Sequence, residues 1–311
     1  EGGAGCLRAS EPAIASTGMI SRNRPISMHS PRVVLYQSVL PASPANAEPV
    51  LRATIEYDGG RYRGWQSQLN ARTVQGTLMA AAHELWGPGV RVHGAGRTDA
   101  GVHAFGQVAS IHLSPRVRVG DPADALKRWN DLLPPDVNVV SLAHAAPSFH
   151  ARHDAVRRVY RYRIARRRTG FGKPFVYWAK DALDVGTMER AARLLEGRHD
   201  FRSFCENPEG HDSTIVVVER ASVTAPAEAD GLVLVRIAAS HFLWKMVRRV
   251  VGILLEVGAG RMTEADVARL LVERTGDPAR LTVPPSGLFL ESVGYPGEPE
   301  PVPPHPLRPA F

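Results

Sequence analysis

The chain has 311 residues, room for about two domains of ordinary size, and its 44% hydrophobic and 22% charged residues are typical of a globular protein with a sizeable core. Its apolar runs stay below the roughly 18 residues that a membrane-spanning helix needs, and its two cysteines, Cys6 and Cys205, are too few and too distant for a disulfide framework or a zinc site. The formal net charge of +7, with only four lysines among 38 basic residues, suggests an anionic polymer such as a nucleic acid as partner, although solubility alone would also account for it.

The two ends of the chain differ from the rest in composition. Residues 1–49 are rich in Ser, Pro, Ala and Gly without sustained periodicity, which predicts a disordered extension, with a transit peptide as a weaker alternative. Residues 297–311 are Pro-rich and are predicted to form a disordered tail. Between them we expect two subdomains, at 50–147 and 148–296.

The first half alternates strand and helix patterns. In chain order the predicted elements are a strand at 51–57, a helix at 73–86, a strand at 105–113, a helix at 121–132 and a strand at 137–143. Both helices carry start signals, because Thr73 can cap the first and Asp121 followed by Pro122 suits the beginning of the second.

The second half repeats the alternation with longer apolar segments. The predicted elements are strand 156–164, helix 187–196, strands 214–224 and 232–238, helices 241–257 and 263–274, and strand 288–293. Gly197 and Gly258 are predicted to end helices, and the two central strands to form a hairpin around 229–231. Two successive halves of this kind predict an α+β protein with antiparallel or mixed sheets.

One segment, residues 94–104, is unusually rich in glycine and contains a single acid, Asp99. It matches neither a phosphate-binding loop nor a dinucleotide fingerprint, because the Gly-Lys-Ser/Thr ending of the first is absent and the third glycine of the second is misplaced. What remains is a loop that presents Asp99 beside Arg97, which would favour the ionised carboxylate and make it a candidate nucleophile. A turn or helix cap is the more ordinary use of such an aspartate.

Several motifs, in order, resemble those of the bacterial tRNA pseudouridine synthase A family. They are Arg97-Thr98-Asp99-Ala100-Gly101-Val102-His103-Ala104, Tyr57-Asp58-Gly59, Gly64-Trp65-Gln66-Ser67-Gln68, Thr73-Val74-Gln75-Gly76, Phe149-His150-Ala151-Arg152, Tyr160-Arg161-Tyr162, Met246-Val247-Arg248 and Gly287-Leu288. The resemblance covers about residues 50–296. It implies two ferredoxin-like subdomains whose sheets join into one mixed, largely antiparallel sheet with helices on one side, and an active-site cleft between the halves.

The resemblance also implies an activity. Asp99 would be the catalytic nucleophile of an enzyme that isomerises uridine to pseudouridine in the anticodon stem and loop of tRNA, at positions 38, 39 and/or 40, through a covalent intermediate. Whether the carboxylate attacks the base or the sugar stays open. The reaction is redox-neutral and needs no donor, so no cofactor and no metal are implied. A homodimer that binds tRNA across both subunits in the cytoplasm is expected.

The remaining candidate site residues follow from the same resemblance. Tyr160 would contact the substrate base, and Arg248 would pair with the catalytic aspartate; a core tyrosine and an exposed arginine are the ordinary alternatives. Further substrate contacts are expected from four residues: Arg97, His103, Arg152 and Leu288. Gly252, one helical turn after Arg248, is expected to leave space beside it.

Eight arginines and one acid between positions 152 and 168 are the best candidates for phosphate contacts. On an alternating strand Tyr160 and Tyr162 would share one face, with Arg161 on the other. Residues 242–245 depart from commoner bacterial versions of the family, which leaves the substrate contacts there open. Two rival functions also stay open, a non-catalytic RNA-binding protein and a carboxylate-dependent hydrolase.

Overall fold

The computed structural model describes residues 48–227 and 231–299. The predicted N-terminal extension, except its last two residues, lies outside this range together with Cys6. So do residues 229 and 230 of the predicted turn and the tail from residue 300 onwards.

The described residues form one ten-stranded sheet. The strands are β1 (Val50–Tyr57), β2 (Arg91–Gly94), β3 (His103–His112), β4 (Val137–Ala145), β5 (Arg157–Ala165), β6 (Tyr177–Trp178), β7 (Gly197–Asp200), β8 (Ile215–Thr224), β9 (Leu232–Ala239) and β10 (Leu288–Gly294). Their order is β4-β1-β3-β10-β5-β9-β8-β7, with β2 paired to β3 and β6 to β5. All pairs are antiparallel except β3 with β10 and β5 with β6. The predicted mixed, largely antiparallel α+β sheet is therefore confirmed.

The strands of the two halves of the chain meet where β3 lies beside β10. Phe289 is opposite His103 and Leu290 is opposite Ala104 in this parallel pair. Gly106 permits the close approach, because a Cβ added there would lie 2.7 Å from the Glu291 carbonyl oxygen. The predicted subdomain boundary at 147–148 falls in the loop between β4 and β5 and stays a prediction.

The helices cover much of the hydrophobic core. They are α1 (Val74–Trp86), α2 (Pro122–Leu132), α3 (Val185–Arg193), α4 (Met246–Gly258), α5 (Glu264–Leu270) and α6 (Asp277–Arg280). Thr73 and Asp121 cap α1 and α2 as predicted, each accepting a hydrogen bond from a first-turn backbone amide. Almost all of α4 is buried, so it is the helix most deeply embedded in the core. No helix of the described ranges is both long and apolar enough to cross a membrane.

Four helix ends differ from the sequence-based prediction. Helix α3 begins at Val185 rather than 187, because the Asp184 carboxylate takes the cap and accepts from the Thr187 amide at 3.0 Å. Gly197 does not close that helix but opens β7, with φ of 103°. Helix α4 begins five residues later than predicted, because Lys245 adopts a left-handed backbone. Helix α5 ends at Leu270 rather than 274.

Candidate active site

Asp99 lies in the loop between β2 and β3, and residues that follow β1 fix the backbone of this loop. The Trp65 amide donates to the Thr98 carbonyl at 3.0 Å, and the Gly101 amide donates to the Tyr62 carbonyl at 3.3 Å. The hydroxyls of Tyr57 and Thr98 are hydrogen bonded at 2.8 Å. The aspartate is therefore held by its neighbours on both sides, while its own side chain keeps 26% exposure.

Gly64 lets the two segments come this close. Its φ is 95°, a conformation that suits glycine, and an added Cβ would lie 2.7 Å from the Thr98 carbonyl oxygen and 3.2 Å from the Asp99 carbonyl carbon. Any side chain at this position would push directly on the backbone of the candidate nucleophile.

Arg248 from α4 contacts Asp99. Its Nη1 lies 3.3 Å from Asp99 Oδ2, and its Nε donates to the Val283 carbonyl at 2.7 Å. The predicted pairing of Arg248 with the aspartate is confirmed. The expectation that Arg97 supplies this charge is wrong: Arg97 is exposed and makes no ion pair with Asp99 in the described structure, because the loop turns its guanidinium towards solvent.

The segment 281–285 packs against the helix of Arg248 and binds its side chain. A Cβ on Gly252 would lie 1.8 Å from the Leu281 carbonyl oxygen, so the space expected beside Gly252 is filled by backbone. The Val283 amide also donates to the Arg248 carbonyl at 3.3 Å. Pro285 continues the contact to the other half, since an added Cβ on Gly101 would lie 2.8 Å from its Cγ. One short segment thus touches both the helix of Arg248 and the loop of Asp99.

Tyr160, in the middle of β5, is buried with 8% exposure, and the Phe242 ring packs edge-on against it at 5.0 Å. Burial raises the pKa of Tyr160, and the charges of Tyr57 and Asp99 act in the same direction. Its hydroxyl is therefore protonated at neutral pH, and the ring lies within the electrostatic reach of Asp99. The structure brings together the three side chains on which the sequence-based hypothesis depends.

His103 and Leu288 have contacts within the fold. The His103 ring is 1% exposed and stacks on Phe289 at 4.8 Å, with its nitrogens 3.1 Å from the Gly59 amide and 3.1 Å from the Pro174 carbonyl. Leu288 is 4% exposed and lies opposite Tyr162 in the sheet. These positions favour a role in shaping the junction of β3, β10 and β5.

The arginine-rich stretch divides into buried and exposed members. Arg161, predicted on the face opposite Tyr160, is buried and donates to Glu291 at 2.7 Å. Arg158 donates to the backbone carbonyls of Ala155, Ser240, Ala95 and Arg152 at 2.7 to 3.0 Å. The exposed members are Arg152, Arg166, Arg167 and Arg168. Only part of the stretch is therefore available for phosphate.

Sequence reasoning missed Arg158 and the carbonyls of Leu281 and Val283. Arg158 reaches the Ala95 carbonyl, at the start of the loop that carries Asp99. Nothing in the residue types signals these contacts, because backbone carbonyls are present at every position. Only the folded chain brings them to the site.

A partly exposed carboxylate that pairs with an arginine, near a buried tyrosine, is an arrangement typical of an enzyme site built on a single acid. Residues 191–296 match the family model described as tRNA pseudouridine synthase. Proteins named tRNA pseudouridine synthase A are similar along most of the chain. The relative from Moorella thermoacetica is 39% identical over 256 residues, covering 79% of this chain and 100% of the relative. The relative from Rhodospirillum rubrum is 41% identical over 251 residues, covering 79% of this chain and 88% of the relative. The chain belongs to the tRNA pseudouridine synthase A family.

Proposed function

We propose that the protein isomerises uridine to pseudouridine in tRNA, at positions 38, 39 and/or 40 of the anticodon stem and loop. The observation that carries the proposal is the contact between Asp99 and Arg248 beside Tyr160, in a member of this family. The carboxylate is 26% exposed and can reach a nucleotide, while the arginine fixes its orientation.

The chemistry conserves all atoms. The N1–C1′ bond of uridine breaks, the uracil turns, and a C5–C1′ bond forms; the proton lost from C5 is balanced by one gained at N1. Asp99 forms a covalent bond to the nucleotide while the base turns, and that bond breaks when the new C–C bond is complete. Arg248 is anchored by its hydrogen bond to the Val283 carbonyl, and from this fixed position it holds the Asp99 carboxylate in place. The ring of Tyr160 provides a surface for the extruded base.

The exposed arginines support a tRNA substrate. Arg97 and Arg152 are both exposed and are proposed to contact the substrate, together with the exposed side chains at 166–168. Flipping a base out of a stem costs a few kcal/mol, and contacts of arginines with phosphate offset part of that cost. For His103 and Leu288 we propose an indirect role: they help to set the position of β10 against β3, next to the site. A homodimer acting in the cytoplasm completes the proposal and rests on the family resemblance.

The experiment is pseudouridine mapping on an unmodified tRNA transcript with uridines at positions 38 to 40. We expect wild-type protein to form pseudouridine there. Asp99→Asn should bind the transcript and form none, while Asp131→Asn, the same change at an exposed aspartate of α2, should behave as wild type. Substantial product from Asp99→Asn contradicts the nucleophile. Binding without product by wild-type protein supports the alternative of a non-catalytic RNA-binding protein.

Salt dependence tests the phosphate contacts separately. The affinity for tRNA should fall steeply as salt rises, because each neutralised phosphate releases counterions. Arg152→Gln should reduce the slope of log affinity against log salt by about one unit. A flat response would contradict binding along the tRNA backbone.

A further inference from the structure

Two residues with a left-handed backbone adjoin one carboxylate near the beginning of α4. Asn207, with φ of 51°, and Lys245, with φ of 62°, are the only non-glycine residues with positive φ among those described. Asn207 follows Glu206 directly, and Lys245 donates to the Glu206 carboxylate at 3.1 Å. Arg249 donates to the other oxygen of the same carboxylate. A left-handed backbone is unfavourable for lysine and is tolerated by asparagine, and the Glu206 carboxylate stabilises the segment through its ion pairs with Lys245 and Arg249.

The residue that this arrangement presents is Trp244. The Glu206 amide donates to the Trp244 carbonyl at 2.9 Å, which fixes the backbone just before Lys245. The indole itself is 49% exposed, and the ammonium of Lys245 lies 5.4 Å from its ring centroid. A tryptophan exposed at the surface on a hydrogen-bonded backbone, with a cation over its ring, combines the two groups that recognise a nucleotide: an aromatic face and a positive charge.

Trp244 lies close to the candidate site. It precedes Arg248 by four residues, so the two Cα atoms are within about 14 Å even if the chain were fully extended. Phe242, two residues earlier, packs against the Tyr160 ring. A base bound at Trp244 would therefore belong to a nucleotide near the one at Asp99, not to a distant part of the RNA.

We propose that Trp244 is a stacking platform for an unpaired base of the tRNA next to the target uridine, with Lys245 positioned for the phosphate beside it. The proposal rests on the proposed function, because that function supplies the RNA. The net charge of +7 and the pairing of an exposed ring with an ammonium favour an RNA over an apolar protein surface as the occupant.

The test measures tRNA affinity in an Asp99→Asn background, where no product forms. Trp244→Ala and Trp244→Leu should weaken binding of the unmodified transcript about tenfold, whereas Trp244→Phe should stay within about threefold, since stacking needs a flat ring. The leucine variant distinguishes stacking from simple apolar contact, because leucine is apolar but has no flat ring. Affinity that is unchanged in the alanine variant, or fully retained by leucine, overturns the platform.

Two further measurements, product formation by wild-type protein and sedimentation of the variants, distinguish a failure of the platform from a failure of the proposed function and from a dimer contact. If wild-type protein makes pseudouridine and all four proteins bind alike, the platform is wrong and the function stands. If wild-type protein makes none while Trp244→Ala still weakens binding, the function is wrong and the platform stands. Sedimentation of the same variants identifies the other occupant: a change from dimer to monomer in Trp244→Ala would assign this surface to a second copy of the chain and overturn the proposal.

Discussion

Arg248 and Asp99 come from opposite halves of the chain, and their side chains meet with Nη1 and Oδ2 3.3 Å apart. The arginine does not depend on the aspartate for its orientation, because its Nε is already bound to the Val283 carbonyl at 2.7 Å. The guanidinium therefore acts as a fixed fork, with one arm on the backbone and one on the carboxylate. A planar group with several donors can make both contacts at once.

Arg248→Lys should lower the rate of pseudouridine formation at least about tenfold, because a single ammonium cannot reproduce both contacts of the fork. The affinity for tRNA should change less than about threefold, and single-turnover assays with direct binding separate the two effects. The matched control is Arg261→Lys, which alters another forked arginine, bound to Glu256 and Asp181 and partly exposed. A wild-type rate in Arg248→Lys would show that charge alone suffices.

Tyr160→Phe should keep the rate of product formation within about fivefold of wild type, whereas Tyr160→Leu should lose far more. Burial raises the pKa of Tyr160, so its hydroxyl stays protonated at neutral pH and is a poor proton donor, and we propose that the ring carries the function. Rates at saturating tRNA are the measurement. Equal losses in the phenylalanine and leucine variants would instead assign the function to the hydroxyl.

Gly64→Ala should lower the free energy of unfolding by about 3 kcal/mol, because it combines a left-handed backbone with a clash on the Thr98 carbonyl. Product formation should fall as well, since the Asp99 backbone must move. Gly96→Ala is the control for stability, because Gly96 lies in the loop that carries Asp99 and nothing is within 4 Å of its added Cβ. Denaturant unfolding compares the two, and similar losses would contradict the close-approach argument.

Glu291→Gln should cost about 3 kcal/mol of stability, since the buried carboxylate of β10 binds Arg161 of β5 and Arg236 of β9 at 2.7 and 2.9 Å. Glu219→Gln, which affects the half-exposed pair with Arg157, should cost less than about 1 kcal/mol. Denaturant unfolding of both variants is the measurement. A loss no larger than that of the control would mean that the buried guanidiniums find other partners.

The sequence predicts best where a periodic pattern is long. The positions of α1 and α2 follow from Thr73, Asp121 and the apolar spacing, and the longer strands were found within a few residues. The four-residue strands β2 and β7 were missed, because segments this short show no clear alternation. The start of α4 was misplaced because the apolar residues 242–244 suit a helix, and no pattern reveals the left-handed backbone of Lys245.

The site was predictable for its side chains and not for their supports. Asp99, Tyr160 and Arg248 could be named from their motifs. Arg161, one of the arginines expected to contact phosphate, is buried instead, because β5 lies in the middle of a wide sheet and is covered on both sides. Its true partner, Glu291, lies 130 residues away along the chain. Contacts of that range depend on strand order, which no local pattern contains.

The buried His103 makes the stability of the fold sensitive to acid. Burial lowers the pKa of His103 from its ordinary value of about 6.5, and contacts with Asp58 and the Pro174 carbonyl oppose the effect only in part. The folded protein therefore binds this proton less readily than the unfolded chain does. Stability from this group is complete above about pH 6.5 and is lost as the pH falls below it towards the lower pKa of the folded state.

We expect the melting temperature to drop between about pH 7.5 and about pH 5.5, and His103→Gln, whose amide can still donate to Pro174, to drop less. Other histidines with a lowered pKa, His93, His112, His150 and His241, share in the wild-type drop, so the variant removes part of it. His144→Gln, at an exposed position of β4, is the control and should drop as wild type does. Calorimetry at a series of pH values gives the comparison. If His103→Gln loses as much stability on acidification as wild type, proton uptake by this ring does not contribute to the acid sensitivity, because the only titrating group removed is His103.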